Sequence, residues 1–377
     1  MNKKINIAVI GCGNRSQEVV KNLLRDSNGN VKITTVFDPD REVAKTAIAK
    51  WDSNETEICS SYQSAIDRSD IEWVMVFSPN SFHREHIVYA FEHDKHVFSE
   101  KPLATSIEDC LAINTAHEKS KKHFATGFVL RYAPIYRKAK EIINSGILGK
   151  LILIEANENI ESDHGGYIMC NWRRHSKVAG PHILEKCCHD LDLIEWYVGD
   201  VPSRIAAFNG RAMFTDENKN LMQKYGAEKF MNWPDPHRVD TPFTSDSDLM
   251  DNLVSISEFR NQVRVVFSYT MSNIIPERRM SFNFTEGNLV LDLYKSSLIY
   301  RNIGEEEIHY FNFHGDHHAG GDDYIMKELY ATMTDDVPPK CSGKEGLLSA
   351  VYAMAIDQAA VNGNVVDLNE IWAKLNI

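Results

Sequence analysis

The chain has 377 residues, 43% hydrophobic and 25% charged, a composition typical of a folded protein with room for two domains. Its formal net charge is −12, from 53 acidic and 41 basic side chains, so its surface repels nucleic acid phosphates and anionic lipids. No stretch approaches the ~20 apolar residues of a membrane span and no signal-peptide pattern is present, so we expect a cytoplasmic protein with neither nucleic acid nor membrane as a partner.

The first part of the chain alternates short, β-branched apolar runs with helical segments. Strands are predicted at residues 4–10, 31–38, 73–79, 96–100 and 124–130, with helices between them. Strands that alternate with helices pair in parallel through right-handed crossovers. The pattern therefore predicts an α/β domain with a parallel sheet over residues 1–126.

The pattern of predicted secondary structure changes in the second part of the chain, residues 127–377. FRNQVR and TEGNLV have hairpin turn chemistry, and they lie among strand-like runs between residues 204 and 313. This pattern predicts a second α/β domain with a large, open, mostly antiparallel sheet covered by helices on one face. Residues 214–250 are polar and predict a long, lid-like loop. The other predicted elements are helices at 134–145, 182–198 (amphipathic), 322–334 and 343–361, and a strand at 151–159.

A glycine-rich segment, GCGNRS at residues 11–16, connects the first predicted strand to the first helix. The pattern resembles the dinucleotide fingerprint G-x-G-x-x-G/A, with Ser16 in place of the third glycine. Gly11 permits a tight turn, and Gly13 lets the backbone approach a pyrophosphate at the helix N-terminus, beside Asn14 and Arg15. The alternative is an ordinary strand–helix turn that contains glycine.

Asp38 ends the second predicted strand, where a carboxylate can accept hydrogen bonds from the ribose hydroxyls of a dinucleotide. The same negative charge repels a 2′-phosphate, so the sequence favours NAD over NADP. Arg15 keeps NADP open as an alternative. Asp38 could instead be a turn-forming residue before Pro39.

Four further segments complete a recognisable pattern: SPNSFH (78–83), SEKPL (99–103), GFVLRYAP (127–134) and HDLDLIEWYVGD (189–200). With the glycine loop, they make the whole chain resemble the Gfo/Idh/MocA oxidoreductase family, which includes inositol dehydrogenases and glucose–fructose oxidoreductases. The resemblance implies an N-terminal Rossmann domain and a C-terminal α/β domain whose open sheet packs against a partner's sheet in homodimers or homotetramers. It also implies a polyol or carbohydrate substrate.

The resemblance assigns roles to residues near the ends of the predicted strands. It implies that Lys101, in the Glu100-Lys101-Pro102 segment, reaches the substrate near the nicotinamide ring. It implies cofactor contacts for Ser78, Asn80, His83 and Glu100 as well. His83 could instead cap the helix that follows it.

Oxidation of a secondary alcohol needs a proton acceptor and a group that stabilises charge on the oxygen. We predict Lys101 as the oxygen-facing group and His189 as the general acid/base, because an imidazole pKa near ~6.5 suits proton exchange at neutral pH. Glu185 and Asp192 are predicted on the same helical face as His189. Inositol-dehydrogenase-like members have Asp where Glu185 stands, so the catalytic role of Glu185 is open. Lys186 either points to solvent or depresses the pKa of a neighbouring carboxylate.

The substrate-binding candidates are spread over three segments. Arg131 lies in LRYAP, the Trp172-Arg173 pair matches a family W-R, and His318 lies in HHAGGD, which echoes a family H-x-G-G-D. Tryptophan stacks on sugar C–H faces, and arginine binds oxygens. Arg131, the Trp172-Arg173 pair and Asp192 could instead serve packing between elements. The histidine run of HHAGGD also suggests a metal, but helix initiation with one histidine near the substrate is preferred.

Seven scattered cysteines indicate a reducing compartment rather than a disulfide framework. Cys187, Cys188 and His189 are adjacent, but no second ligand pair has metal-site spacing, so no metal is expected. Two rival functions stay open. One is glycoside cleavage by transient oxidation and elimination with NAD retained, and the other is a non-catalytic NAD(H)-binding regulator.

Overall fold

The computed structural model describes residues 4–231, 239, 241–314 and 318–377. The chain forms two compact units, Met1–Ala133 with Gly320–Ala350, and Pro134–Ala319 with Val351–Ile377. A parallel sheet forms the centre of the first unit and a mostly antiparallel sheet the centre of the second, so the predicted fold class is confirmed. The predicted domain boundary between residues 126 and 127 stays a prediction.

Strands and helices alternate along the first unit. In chain order they are β1 (Ile5–Ile10), α1 (Asn14–Asp26), β2 (Val31–Phe37), α2 (Arg41–Lys50), β3 (Glu57–Ile58), α3 (Tyr62–Ile66), β4 (Trp73–Val76), α4 (His83–Glu92), β5 (His96–Ser99), α5 (Ile107–Ser120) and β6 (Phe124–Thr126). The six strands pair in parallel in the order β3-β2-β1-β4-β5-β6. The strand order reverses between β1 and β4, and open parallel sheets bind ligands outside the carboxyl ends of their strands at such a point.

The central strands of this sheet are apolar on both faces, as expected where helices cover both sides. All four residues of β4 are buried. Helix α1 buries Val19, Val20 and Leu23. Ser16 is fully buried too, and its Oγ donates to the Gly13 carbonyl at 2.8 Å. A small, internally bonded side chain therefore serves where the fingerprint has its third glycine.

The second unit begins with helices around one long strand and continues with a run of strands. Its elements up to residue 314 are α6 (Pro134–Ser145), β7 (Leu151–Glu161), α7 (Ser162–Cys170), α8 (Ser176–Ala179), α9 (His182–Glu185), α10 (Cys188–Val198), β8 (Pro202–Gly210), α11 (Asn220–Tyr225), β9 (Asn252–Phe259), β10 (Arg264–Asn273), β11 (Arg279–Phe284), β12 (Gly287–Asp292), β13 (Ser297–Asn302) and β14 (His309–Asn312). The strands pair antiparallel except for β7 with β10. Both predicted hairpins, β9–β10 and β11–β12, are confirmed.

The last elements are α12 (Asp322–Asp335), α13 (Gly343–Asn362), β15 (Val366–Asp367) and α14 (Asn369–Lys374). Helices α12 and α13 confirm the two predicted C-terminal helices. Strand β15 pairs with β8, so the sheet order is β14-β13-β12-β11-β7-β10-β9-β8-β15. Among the described residues, no helix combines the length and apolar character needed to cross a membrane.

One face of the second sheet packs against helices, because residues alternate between buried and less buried along β9, β10 and β11. Phe282 of β11 meets Tyr197 of α10 edge-on, with ring centroids 5.1 Å apart. Tyr352 of α13 packs against Phe259 and donates from its hydroxyl to Ser257 Oγ at 2.9 Å. The core of this unit lies between these helices and the sheet.

Two sequence predictions need correction in this unit. The single helix predicted at 182–198 is two helices, α9 and α10, separated at Lys186 and Cys187. Nor is α10 amphipathic, since every residue from Cys188 to Glu195 is buried. The loop predicted at 214–250 contains α11, and its residues 232–238 and 240 lie outside the described residues.

We predict that Phe282→Ala lowers the free energy of unfolding by about 3–5 kcal/mol, because the fully buried ring leaves a cavity against Tyr197. The urea unfolding midpoint, with an unchanged slope, measures this loss. Ile303→Ala is the control, since Ile303 is 82% exposed and its change should stay within about 0.5 kcal/mol. Equal midpoints for the two variants would contradict this account of the core.

Candidate functional site

The predicted cofactor-binding residues of the first unit lie at one edge of its sheet. Gly11 directly follows β1, Asp38 follows β2, Ser78 lies just beyond β4, and Glu100 follows β5. These four strand ends are neighbours in the parallel sheet, so they point to the same edge. The edge includes the position between β1 and β4 where the strand order reverses.

Gly11 has a backbone conformation that only glycine adopts easily, with φ of +90°. A Cβ at this position would lie 2.7 Å from the Phe77 carbonyl carbon and from the Ser78 nitrogen. The Gly11 N–H donates to the Phe37 carbonyl at 2.8 Å, at the end of β2. The loop therefore touches the ends of both strands that flank β1.

Gly13 differs from Gly11, because neither its conformation nor its packing requires glycine. Its φ is −69°, and a Cβ there would meet no atom of the described residues within 4 Å. Helix α1 begins at the next residue, Asn14, and its free N–H groups and dipole favour an anion. The missing side chain leaves open space where a pyrophosphate would lie, which fits a dinucleotide.

Asp38 also helps to shape the glycine loop. Its Oδ2 accepts from the Cys12 N–H at 2.8 Å and its Oδ1 from the Asp40 N–H at 2.9 Å. Burial, and then the charge of Asp38, raises the pKa of the Cys12 thiol to about 12, so this cysteine stays protonated. Asp38 thus forms the turn after β2, and it also lies at the carboxyl edge of the sheet, where the ribose of a dinucleotide is expected.

Arg15 is held by two carboxylates of the first unit. Its Nε donates to Glu100 Oε1 at 2.7 Å, and its Nη2 lies 2.9 Å from Asp322 Oδ1 at the start of α12. These pairs engage two of the three guanidinium nitrogens of the residue that kept NADP open as an alternative. Asp322 as a partner of Arg15 was not predicted from the sequence.

The segments after β4 and β5 are joined through His83. Its Nδ1 lies 2.8 Å from the Pro102 carbonyl and its Nε2 lies 2.9 Å from the Ser78 carbonyl. The Ser78 hydroxyl lies 2.9 Å from His86 Nδ1, and burial, then neighbouring His83, lowers the pKa of His86 to about 4. Asn80 is buried just before α4. The His83 ring is therefore engaged by the protein, and its contact with the cofactor stays a prediction.

Lys101 is half-buried and follows Glu100, whose Oε2 accepts from the Lys101 backbone N–H at 3.2 Å. The Lys101–Pro102 peptide bond is cis. A Cβ at Gly127 would lie 2.7 Å from Glu100 Oε2, so the segment after β6 packs directly on this carboxylate. Arg131, further along, lies 3.9 Å from Glu345 of α13 through its Nη1 and that residue's Oε1.

In the second unit, the structure brings three predicted residues together. Arg173 Nε donates to Glu185 Oε1 at 2.8 Å. The same guanidinium lies over the Trp172 ring, 4.3 Å from its centroid, and faces Tyr167 at 6.0 Å. Glu185 is buried, so the ion pair holds its carboxylate in one place.

His189 is the second residue of α10, and its ring centroid lies 6.3 Å from that of His318. Asp192, one turn further along α10, is buried. His317, the neighbour of His318, lies outside the described residues. His189 and Asp192 thus lie on the same helix, α10, whereas Glu185 lies on α9.

A buried network of charged side chains connects α10 to β7 through Arg278. Arg278 donates from Nε and Nη2 to the two carboxylate oxygens of Asp190, at 2.8 and 2.7 Å, and its Nη1 lies 3.3 Å from Glu158 Oε1. Burial by itself would raise the pKa of Glu158, but the charges of Arg278 and then Lys186 lower it to about 2. Lys186 therefore acts on a buried carboxylate, the second of its two predicted roles.

Comparison with known proteins identifies the family. A family model described as an oxidoreductase NAD-binding Rossmann fold matches residues 5–128, and one described as the oxidoreductase C-terminal alpha/beta domain matches residues 140–368. The second alone takes in more than half of the chain.

The chain belongs to the Gfo/Idh/MocA oxidoreductase family. The resemblance inferred from the motifs is thereby confirmed, and so is NAD as the cofactor of the N-terminal Rossmann domain.

Two curated relatives of this Gfo/Idh/MocA chain are enzymes of different kinds. It is 28% identical over 216 residues to the 2,7-anhydro-N-acetylneuraminate hydratase of Mediterraneibacter gnavus, covering 57% of this chain and 55% of that protein. It is 28% identical over 197 residues to the inositol 2-dehydrogenase of Burkholderia cenocepacia, covering 52% and 55%. The chain spans about half the length of each of these relatives.

Solved structures match the fold over nearly the whole chain. Levoglucosan dehydrogenase in complex with NADH and levoglucosan superposes with a TM-score of 0.81 at 17% identity, covering 97% of this chain and 100% of that one. At this identity the likeness establishes the shared fold.

Sequence reasoning about this Gfo/Idh/MocA chain missed several charged residues of the second unit. Glu158, His182 and Arg278 are all buried, yet none was singled out. One signal in the sequence could have indicated such residues. Charged residues are dense in the otherwise apolar stretch HDLDL, and charges that are buried need charged partners elsewhere in the chain. Which residue supplies each partner is decided by packing between segments far apart in the chain.

We predict that Gly13→Val lowers NADH affinity by at least about tenfold, roughly 1.4 kcal/mol, while the thermal midpoint stays near that of the unmodified protein. The new side chain would enter space that is open in the protein but needed by the pyrophosphate. A fluorescence titration with NADH and a melting curve measure the two quantities.

Gly11→Val is the matched comparison, and it should lower both affinity and melting temperature, because its Cβ would collide with the backbone at Phe77 and Ser78. Wild-type NADH affinity in Gly13→Val would remove the argument for nucleotide binding at this loop.

Proposed function

We propose that this chain is an NAD(H)-dependent oxidoreductase that transfers a hydride between the nicotinamide ring and a hydroxyl-bearing carbon of a sugar, sugar derivative or cyclitol. The observation that carries the proposal is the collection of Gly11, Asp38, Ser78 and Glu100 at the carboxyl edge of the first sheet, around the β1–β4 switch point. The relationship to an inositol 2-dehydrogenase supports the substrate class.

The cofactor-binding roles follow from the glycine loop outward. We assign Gly11, Gly13 and Asn14 to the pyrophosphate and Asp38 to the adenosine ribose. Arg15 and Glu100 are bound to each other, so we assign them to supporting the glycine loop rather than to contacting the ribose directly. Ser78, Asn80 and His83 then border the nicotinamide side of the site.

The chemical roles are assigned to one lysine and one histidine. NAD, when bound, supplies the hydride acceptor. In the direction of alcohol oxidation, His189 takes the hydroxyl proton, and the ammonium of Lys101 stabilises negative charge that develops on the substrate oxygen. Glu185, already paired with Arg173, orients the imidazole of His189.

The substrate-binding roles rest on the remaining predicted residues. The Arg173 guanidinium stacks on one face of the Trp172 ring and keeps donors for sugar hydroxyls, and the indole offers apolar surface for sugar C–H groups. Asp192 and His318, near His189, would bind further hydroxyl groups, and so would Arg131. We assign these five residues to substrate recognition.

We also propose that copies of the chain associate through the outer face of the second sheet. Phe208, on β8, is 72% exposed, and Ile256, on β9, is 57% exposed. Phe208 lies opposite Val254, which is also exposed, so the apolar residues are contiguous. The seven cysteines are all buried, and their odd number and scattered positions support the proposed cytoplasmic location.

A second candidate function is elimination or hydration assisted by transient oxidation, with no net change in NAD. The observation that favours it is the relationship to 2,7-anhydro-N-acetylneuraminate hydratases, at 28% and 25% identity. Glu185, Lys186 and His189 provide enough acid–base groups to remove a proton and assist a leaving group.

A substrate panel separates the two candidates. Polyols, inositols, aldoses, anhydro sugars and glycosides should be incubated with NAD or NADP, and both NADH formation and product formation should be followed. Net NADH formed in proportion to product supports the first candidate. Product without net NADH supports the second, and NADH binding without turnover of any compound would indicate a regulator.

We predict that Lys101→Ala lowers kcat by about 10²- to 10³-fold with NADH affinity unchanged, because it removes a charge that acts on the transition state. His189→Asn should lower kcat by about 10²- to 10⁴-fold, because it removes the proposed proton acceptor. Lys119→Ala and His309→Asn, away from the predicted site, are the controls. A wild-type kcat in Lys101→Ala would refute its role.

We predict that Asp38→Asn shifts the preference for NAD over NADP by about tenfold toward NADP, since the amide loses the charge that repels a 2′-phosphate. Asp40→Asn, which changes the neighbouring N-cap residue of α2, should leave the preference unchanged. The ratio of the two dissociation constants is the measurement, because loosening of the glycine loop would weaken both cofactors equally. An unchanged ratio would argue against ribose recognition by Asp38.

A further inference from the structure

Three buried side chains of the second unit, each of a different metal-ligand type, lie together. They are Glu158 on β7, His182 at the start of α9 and Cys187 between α9 and α10. One ligand atom of each, a carboxylate oxygen, a ring nitrogen and Sγ, lies within 4.8 Å of the other two. The exposed fractions of the three residues are 1%, 1% and 0%. Polar groups at such depth need partners, because burial removes their water.

The protein itself satisfies only part of Glu158. Its Oε1 faces Arg278 at 3.3 Å. Its Oε2 is buried and makes no hydrogen bond of good geometry within the described residues, although the Cys187 thiol interacts with this carboxylate. The nearby Cys187 offers only a thiol, which is a weak donor. The second carboxylate oxygen is thus an acceptor in a polar cluster that lacks a strong donor or a cation.

We propose that Glu158, His182 and Cys187 bind one Zn²⁺ ion, which ties β7 to the joint between α9 and α10. Zinc combines thiolate, imidazole and carboxylate ligands, whereas Mg²⁺ and Ca²⁺ take oxygen ligands. The mixed set of sulfur, nitrogen and oxygen therefore selects zinc. This site is separate from the proposed redox function, which needs no metal.

The distances are compatible with a tetrahedral site after small side-chain rotations. Ligand atoms held about 2.0–2.3 Å from one Zn²⁺ are roughly 3.3–3.8 Å apart. Atoms that now lie within 4.8 Å of one another would therefore move closer by no more than about 1.5 Å. The fourth position of the tetrahedron is assigned to a water molecule.

The charges also suit a divalent cation. Arg278 makes its two short hydrogen bonds to Asp190, and these two charges offset each other. The Glu158 carboxylate and a Cys187 thiolate then supply two negative charges for Zn²⁺. The thiol proton is released to solvent as the Zn–S bond forms. Because the positive charge of Lys186 also acts on Glu158 and opposes a cation there, the negative charge of the thiolate contributes to affinity.

The position of the ion gives it a structural role. Glu185 is the last residue of α9, and His189 is the second residue of α10, so both elements carry a predicted catalytic residue. An ion between these helices and β7 would fix the break at Lys186 and Cys187. The sequence could not reveal this set, because the adjacent Cys188 and His189 are not part of it and Glu158 lies in another segment.

The test is cobalt substitution in the full chain. The purified protein is stripped with a chelator and titrated with Co²⁺, which reports a tetrahedral site by intense visible bands and a thiolate ligand by a charge-transfer band. We expect one equivalent of Co²⁺, displaced by Zn²⁺, with the thiolate band present. Cys187→Ser should lose that band and weaken Co²⁺ binding by at least tenfold. Cys188→Ser is the matched control, since Cys188 is equally buried and its Sγ faces the Glu185 carbonyl.

X-ray absorption on the zinc-loaded wild-type protein provides a readout that depends on no variant, and one sulfur with nitrogen or oxygen neighbours is expected. If circular dichroism shows that Cys187→Ser does not fold, Glu158→Gln and His182→Gln should each weaken Co²⁺ binding by at least tenfold. The proposal is overturned if the wild type binds no stoichiometric metal or shows no sulfur ligand, or if Cys187→Ser keeps the thiolate band. These measurements are independent of the proposed enzyme activity.

Discussion

The nucleotide-binding edge of the first unit depends on one close backbone approach, at Gly11. With φ of +90° and no Cβ, this residue lets the loop after β1 touch the end of β4, where any side chain would overlap backbone atoms. The glycine loop therefore contacts the ends of both strands that flank β1, which are β2 and β4. Asp38 can then accept from the Cys12 N–H, and α1 can begin at Asn14 with its N–H groups facing open space.

A comparable constraint acts in the second unit, where α10 has almost no solvent-facing side. A helix buried in this way tolerates Asp190 only because Arg278 pairs with both of its carboxylate oxygens. The pair anchors the first turn of α10, which also carries His189. The position of a predicted catalytic residue thus depends on a charge network that takes no direct part in the proposed chemistry.

The local patterns in the sequence were sufficient to predict most elements of both sheets. Alternating strands and helices predicted the parallel sheet, and the turn chemistry of FRNQVR and TEGNLV predicted two hairpins, because these signals lie within a few neighbouring residues. The helix predicted at 182–198 was wrong because its apolar spacing resembles one helix. Its division into α9 and α10, and the burial of every side of α10, depend on β7 and other distant segments.

The sequence by itself determined the glycine loop, the parallel pairing of the first sheet and the family, since each follows from residue types at short spacing. Only the tertiary structure decided that Arg15 binds Glu100 and Asp322, that His83 joins the segments after β4 and β5, and that Arg173 pairs with Glu185. The physical reason is that a side chain's partner is chosen by packing between distant segments. Local spacing specifies the strand or helix on which the side chain lies, and not what it meets across the core.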